Sequence, residues 1–482
     1  MIRARVVAHV LGLFLVLLAT TMVAPLVVAL AAGDELTPLA WGWLATAAAG
    51  ALLYKLCSRP QGEVTLREAI LLVLLVWVLA SLFGALPLYF SPYFNSFTDA
   101  FFEAASGFTT TGATVLAEVE ALPRGLQFWR IFMHWLGGMG IVLLMIAVLP
   151  LLGTGGMHLY RAEFSGAKSD KLKPRIAETA LSLWRIYFAL TLAEYLALRW
   201  AGLDAFEAAC HAFSTLGTGG FSTRTSSVGG FANPRIEYVI IAFMFLAGIN
   251  FARQYQFWVE RRPQAFFSDV EVRAYAVVIA VATILVFVSL VAQGGYALEP
   301  GLRTALFQVT SIATTTGFAT ADYEAWGPLP QLVLLALMFA GGCTGSSAGG
   351  LKIARLVLLL KVVGREFRSM VERRAVFAVR LGGQVVPDAT VRSLLNLVYL
   401  AFLVNFGSCL LLAAVGVDVL TAISAVAACM FNIGPGLGSV GPAENYGHLP
   451  GLAKWVLSGC MIAGRLEFYT ALAVLSPAFW RR

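Results

Sequence analysis

The stretch Thr109-Thr110-Thr111-Gly112-Ala113-Thr114 decides how the rest of the chain is read. It returns three times in altered form: Leu216-Gly217-Thr218-Gly219-Gly220-Phe221, Thr314-Thr315-Thr316-Gly317-Phe318-Ala319 and Phe431-Asn432-Ile433-Gly434-Pro435-Gly436. With Gly112, Gly219, Gly317 and Gly434 aligned, the copies stand 107, 98 and 117 residues apart. Each is a short polar break in an otherwise apolar chain. Four such breaks at a near-constant period predict four copies of one unit around one site.

The surroundings of the breaks set the fold class. The 482 residues are 59% hydrophobic and 13% charged, with mean hydropathy +0.79. A soluble domain carries about 25% charged residues, so this is a multi-pass membrane protein. Each unit reads as a long apolar span, a shorter apolar segment, the break, and a second long span. The opening spans are expected near Thr65–Phe90, Ala177–Ala201, Glu271–Gln293 and Val391–Val415. The closing spans are expected near Gly125–Leu152, Pro234–Glu260, Pro328–Val363 and Pro450–Phe479. An apolar pair near Met1–Ala32 and Pro38–Cys57 precedes them, giving ten spans in all. The first apolar run is too long for the ~7–15-residue core of a signal peptide, so it is read as a retained helix.

The short segments, Ser96–Gly107, Asp204–Thr215, Gly301–Ala313 and Asp418–Met430, cannot cross a ~30 Å hydrocarbon core. Ser96, Asp204, Pro300 and Asp418 supply helix-start signals. They are predicted to be re-entrant half-helices, a short surface helix being the plain alternative for any one alone. The units are placed at 1–60 (helix pair), 61–155, 156–262, 263–380 and 381–482.

Charge sets the orientation. Lys55, Arg59 and Arg67, then Arg161, Lys168, Lys171, Lys173 and Arg175, then Arg261, Arg262 and Arg273, then Lys361 to Arg380 crowd alternate loops. Arg3, Arg5, Arg481 and Arg482 fall on the same side. The positive-inside rule puts both termini in the cytoplasm and opens the four breaks outward. The net charge of +7 is therefore a membrane or partner signal, with no nucleic acid implied. The six cysteines form no CxxC or Cys/His cluster and read as small buried hydrophobes.

Irregular backbone at membrane depth must be buried in protein or line a wet cavity. Four breaks satisfy this by converging on an axis, where carbonyls can replace a cation's water shell. Half-helix C-termini add partial negative charge. No carboxylate recurs at the breaks, which favours a monovalent ion.

Ser106-Gly107-Phe108-Thr109-Thr110-Thr111-Gly112-Ala113-Thr114, Gly248-Ile249-Asn250-Phe251 and His134-Trp135-Leu136-Gly137-Gly138-Met139-Gly140 resemble motifs of the TrkH/KtrB/HKT superfamily of potassium transporters. The extra N-terminal helix pair is similar to its bacterial TrkH branch. The resemblance implies an all-α integral membrane fold: four helix, re-entrant pore helix, helix units around one pore. It implies that Thr110, Thr111, Gly112, Gly217, Thr218, Gly219, Thr315, Thr316, Gly317, Asn432, Ile433 and Gly434 face the ion, and that the four glycines select K+. Pro435 after the fourth glycine departs from the pattern, so an unequal ring is expected. The resemblance also implies a homodimer in the bacterial inner membrane, in contact with lipid, and a cytosolic TrkA-type nucleotide-binding ring. The transported K+ is the expected ligand, with no organic cofactor. A proton- or Na+-coupled symporter of the same architecture remains the alternative.

A second break lies in the third closing span. One helix over Pro328–Val363 would be ~54 Å long, and Gly341-Gly342-Cys343-Thr344-Gly345-Ser346-Ser347-Ala348-Gly349-Gly350 will not hold a regular helix. It is read as a loop at mid-membrane, a packing seam of small residues being the alternative. The resemblance makes Gly341, Gly342, Gly345, Gly349 and Gly350 an intramembrane gate, and makes Arg465 a pore arginine touching it. A charge at membrane depth is a functional candidate in its own right, against the alternative of a structural ion pair. Lys352 is a second gate candidate or a snorkelling lysine. Asn250 and Arg253 are candidates for the inner vestibule, with simple packing as the alternative. Gly345-Ser346-Ser347-Ala348-Gly349 also matches G-x-S-x-G, which requires a strand–turn–helix setting and a nearby histidine. Only His134, His211 and His448 were candidates, and a serine hydrolase is the remote reading.

Overall fold

The computed structural model describes residues 2–57, 64–140, 176–375 and 377–481. Arg59, Arg161, Lys168, Lys171, Lys173, Arg175, the boundary at 155/156 and the first closing span beyond Gly140 lie outside the described residues. The described chain is helical apart from loops and one two-residue antiparallel pairing, Arg380–Leu381 with Gln384–Val385.

The N-terminal helix runs Ala4–Thr21, breaks at Met22 and resumes over Val23–Ala32. Pro25 causes the break: it lacks the N–H that would bond to Thr21 and its ring crowds that carbonyl. The returning helix Thr37–Leu56 packs along the first. The pair is fastened to the repeats by Arg3, whose guanidinium meets Glu68 at 2.8 Å. Glu68 also closes the capping box of Thr65, which starts the first opening span.

All four opening spans form: Leu66–Gly84, Ile176–Ala201, Val270–Ala292 and Asp388–Ala414. The four half-helices also form, over Phe97–Phe108, Ala205–Gly217, Leu298–Ala313 and Val419–Met430. Ser96, Asp204 and Asp418 cap the first, second and fourth through their side chains. The third begins three residues earlier than expected, at Leu298, so Pro300 sits in its first turn with no side-chain cap ahead of it.

Two closing spans differ from expectation, the second and the fourth. Ten spans are expected, with the third closing span interrupted by a loop at Gly341–Gly350. Among the described residues five helices are long and apolar enough to cross, or six if one bent pair counts as a span. That pair, Pro234–Ala247 and Phe251–Trp258, turns through 104°. The third closing span is Pro328–Met338 and then Ile353–Val371, and the fourth breaks after Arg465 and resumes at Tyr469. The breaks fall beneath the half-helix C-termini, where backbones meet closely. A methyl group on Gly137 would strike the carbonyl of Phe108, and one on Gly464 that of Met430. The carbonyl of Gly248, freed by the bend, accepts from Cys343 N–H at 2.8 Å.

Candidate functional site

The ends of the four half-helices share one hydrogen-bond pattern. In the first, Thr110 N–H reaches Gly107 O at 3.1 Å and Thr111 N–H reaches Ser106 O at 2.9 Å. The second uses Thr218 to Thr215 (2.9 Å) and Gly219 to Ser214 (2.9 Å). The third uses Thr315 to Ile312 (3.0 Å) and Thr316 to Ser311 (2.8 Å), and the fourth Asn432 to Cys429 (3.3 Å) and Ile433 to Ala428 (2.8 Å). These are Schellman caps, in which the first residue past the helix cap is left-handed and is usually glycine. Here it is Thr110, Thr218, Thr315 and Asn432, with φ of 56°, 52°, 56° and 56°. A side chain in that conformation costs roughly 1–3 kcal/mol, so each is held by its surroundings.

This pattern corrects the register of the second copy. The left-handed glycines two residues further on are Gly112 (φ 83°), Gly220 (82°), Gly317 (80°) and Gly434 (103°). Gly220, not Gly219, therefore matches the other three. Gly219 matches Thr111, Thr316 and Ile433, while Gly217 is the last helical residue, outside the ring segment. The expected triplet Gly217, Thr218, Gly219 becomes Thr218, Gly219, Gly220.

The four segments close on one another. A methyl group on Gly112 would meet the carbonyl of Gly219, one on Gly220 that of Thr316, and one on Gly317 that of Ile433. On Gly434 it would stand 2.7 Å from the carbonyl of Thr111, which completes the circuit. Glycine is required here for both its φ and its lack of a Cβ. The hydroxyls of Thr111 and Thr316 turn back to those of Thr109 (2.8 Å) and Thr314 (2.7 Å). Twelve backbone carbonyls belong to the three positions of the four segments. Among the described residues only that of Gly434 accepts a hydrogen bond. Buried carbonyls are nearly always paired with protein or water, so the eight on buried residues, with those of the three partly open glycines beside them, fit a cation's ligand shell.

Beneath the ring lies the Gly341–Gly350 loop, which is irregular as expected. Gly341, Gly345 and Gly350 have φ of 74°, 78° and 75°. Gly342 O accepts from Ile353 N–H (3.0 Å) and Gly345 O from Phe251 N–H (3.1 Å). Gly349 N–H donates to Thr315 Oγ1 at 2.6 Å, joining loop to ring. Arg465 donates to Ser347 O (2.9 Å) in the loop, Thr110 Oγ1 (3.2 Å) in the ring, and Gly137 O (2.6 Å) and Gly138 O (3.1 Å). Glu467 points elsewhere, to Arg355 at 2.5 Å. Lys352 is buried and donates to Ala348 O, so it does not snorkel. Asn250 caps Phe251–Trp258 through its side chain and adjoins Gly345. Arg253 is ion-paired with Asp269 at 2.9 Å.

The serine-hydrolase reading falls here. Ser347 Oγ donates to Ala247 O (3.2 Å) and Ser346 Oγ to Cys343 O (2.6 Å). His134, His211 and His448 instead meet Ser214, Ser222 and Ser439.

Two arrangements escaped the sequence reading. Glu271 accepts from Thr344 N–H (2.6 Å) and Oγ1 (3.0 Å) in the loop and from Ala354 N–H (3.1 Å) beyond it, tying both limbs together. Behind the ring, buried Arg130 pairs with buried Glu103, which accepts from Thr114 Oγ1 and Val115 N–H at 2.9 Å each. Arg130 also lies 3.6 Å over the ring of Phe221. Ionisable residues inside apolar segments were the available signal.

Residues 39–481 match the family described as TrkH, cation transport protein. The chain belongs to that family. TrkH of Halomonas elongata, a Trk system potassium uptake protein, is 41% identical over 99% of both chains. TrkH of Escherichia coli K12 is 40% identical over the same share, and E. coli TrkG 35%. The crystal structure of the potassium transporter TrkH from Vibrio parahaemolyticus covers 100% of both chains with a TM-score of 0.90 at 37% identity. Membership of the TrkH family makes this a multi-pass transport protein and not an enzyme.

Proposed function

We propose that the chain takes up potassium across the bacterial cytoplasmic membrane through the carbonyl ring, with both termini cytoplasmic. The observation that carries this is the set of eleven carbonyls, eight on buried residues and three on partly open glycines, unpaired among the described residues on four converging segments. The TrkH relatives are themselves potassium uptake proteins, which supports the ion. The ring residues are Thr110, Thr111 and Gly112, then Thr218, Gly219 and Gly220, then Thr315, Thr316 and Gly317, then Asn432, Ile433 and Gly434. The Gly341–Gly350 loop is the gate, latched by Arg465 and Lys352 and tied by Glu271. The working unit is a homodimer with one pore per subunit, regulated by a cytosolic TrkA-type nucleotide-binding ring.

The test is flux of K+, Rb+ and Na+ into proteoliposomes holding the purified protein, beside Gly112→Ser. The wild type prefers K+, and the variant loses that preference because its side chain strikes the carbonyl of Gly219. Equal selectivity in both discards the ring. A second reading, proton-coupled uptake, is favoured by Glu194, a fully buried carboxyl group that faces the Thr215 side chain and makes no salt bridge among the described residues. Flux that ignores the pH gradient and is unchanged in Glu194→Gln removes it.

A further inference from the structure

The fourth quarter of the ring is built differently. Gly112, Gly220 and Gly317 are each partly open, and among the described residues their carbonyls receive no hydrogen bond. Gly434 is buried, and its carbonyl accepts from the hydroxyl of Tyr446 at 2.7 Å. Its φ of 103° stands about 20° from the 80–83° of the others. Pro435 follows it and restricts the residue before it, whereas Ala113, Phe221 and Phe318 follow the other three.

Tyr446 is fixed at both ends. Its N–H donates to Thr114 O at 2.8 Å, on the outward limb of the first segment, and its ring lies 5.4 Å from that of Phe102. The side chain is 2% exposed, and beside the Gly434 carbonyl the hydroxyl has the buried Cys429 thiol as a neighbour. The tyrosine thus spans the joint between fourth and first segments. A methyl group at Gly434 would stand 2.7 Å from the next segment's carbonyl, against 1.9–2.2 Å at the other three glycines.

From this geometry we infer that Tyr446 is a specificity-determining positioning residue. It occupies the Gly434 carbonyl, so the outermost glycine level offers three free carbonyls and one shared with a hydroxyl. The inference rests on the potassium reading of the ring. A carbonyl that already accepts a hydrogen bond is a weaker ligand for a cation. A potassium ion at this level is held less tightly than at the two levels below, where none of the four carbonyls accepts a hydrogen bond among the described residues. The outer level then passes ions on, and the inner levels discriminate.

The experiment is K+ flux against K+ concentration in proteoliposomes for the wild type, Tyr446→Phe and Tyr323→Phe, with Na+ flux measured beside each. Tyr323 is the control: it is equally buried and donates to Gly436 O at 2.9 Å, two residues past the ring. Tyr446→Phe keeps the packing against Phe102 and frees the carbonyl. A hydrogen bond of ordinary net strength predicts an apparent KM for K+ roughly three- to tenfold lower, with a lower maximal rate and a changed K+/Na+ ratio. Tyr323→Phe leaves all three alone. Tyr446→Leu removes the hydroxyl by another route and must lower KM in the same way should the phenylalanine variant fail to assemble. An unchanged KM and ratio in the Tyr446 variants overturns the inference, as do equal changes in Tyr323→Phe. A wild type without K+ preference shows instead that the ring reading itself has failed.

Discussion

The ring and the loop beneath it solve opposite problems with opposite means. The ring is built four times from backbone, by one pair of cap hydrogen bonds repeated at Thr110, Thr218, Thr315 and Asn432. The loop is built once, and side chains add to its few backbone bonds: Glu271 at its limbs, Arg465 at Ser347, Thr315 at Gly349. A structure made of repeated backbone contacts resists change at any single side chain except where a Cβ has no room. A structure held by a few charged side chains over glycine can be released by losing one of them. On the proposed function, fixed geometry suits choosing an ion, and releasable geometry suits admitting it.

The largest expected effect breaks the ring. Gly220→Ala puts a methyl group against the carbonyl of Thr316 and a side chain in a left-handed conformation. K+ flux in proteoliposomes should fall to background; flux near the wild type would return the second copy to its Gly219 alignment. Next is Arg465→Ala, which removes the contacts joining loop, ring and first closing helix. Flux should rise severalfold with selectivity intact, and an unchanged rate would remove Arg465 from the gate. Glu271→Gln keeps the shape and weakens the charge-assisted bonds to Thr344 and Ala354, which are stronger than neutral ones. Basal flux should rise less than in Arg465→Ala; a larger rise would make Glu271 the principal latch.

The smallest effect concerns the outer scaffold. Glu324, in the loop after the third segment, accepts from Gly438 N–H beyond the fourth. Burial raises its pKa, with repulsion from Asp322 and Glu444 adding to the rise. Its neutral form is thus favoured by folding. The resulting stability is present below the ordinary glutamate range and is lost as pH rises through the raised value. Thermal melts of Glu324→Gln should show a weaker dependence on pH there than the wild type; identical curves would exclude this residue.

Much of this was legible in the sequence. Ser96, Asp204 and Asp418 announced their half-helices because capping is local chemistry, three residues long. The register of the second break was legible too, in Gly220-Phe221 beside Gly317-Phe318, but three candidate glycines at 217, 219 and 220 obscured it. The 104° bend was missed although local signs mark it: Gly248 and the helix-capping Asn250 stand at the joint, and the apolar Pro234–Ala247 gives way to Phe251–Trp258 with Arg253, Gln254 and Gln256. Tyr446 and Glu271 were not legible, since Glu271 acts across more than 70 residues and Tyr446 joins two segments, one through its backbone N–H and one through its hydroxyl. The asymmetry expected from Pro435 has a partner that only folding brings to it.

If the ring recognises the ion as proposed, the Gly434–Tyr446 contact shapes how the pore can vary. In a pore assembled from four identical chains, every substitution is written into all four quarters at once. In this chain each quarter has its own codons. A change at Tyr446 alters a single quarter and leaves three to keep the ion recognisable. Affinity can therefore drift by small increments, one quarter at a time, without passing through a pore that has lost its ion.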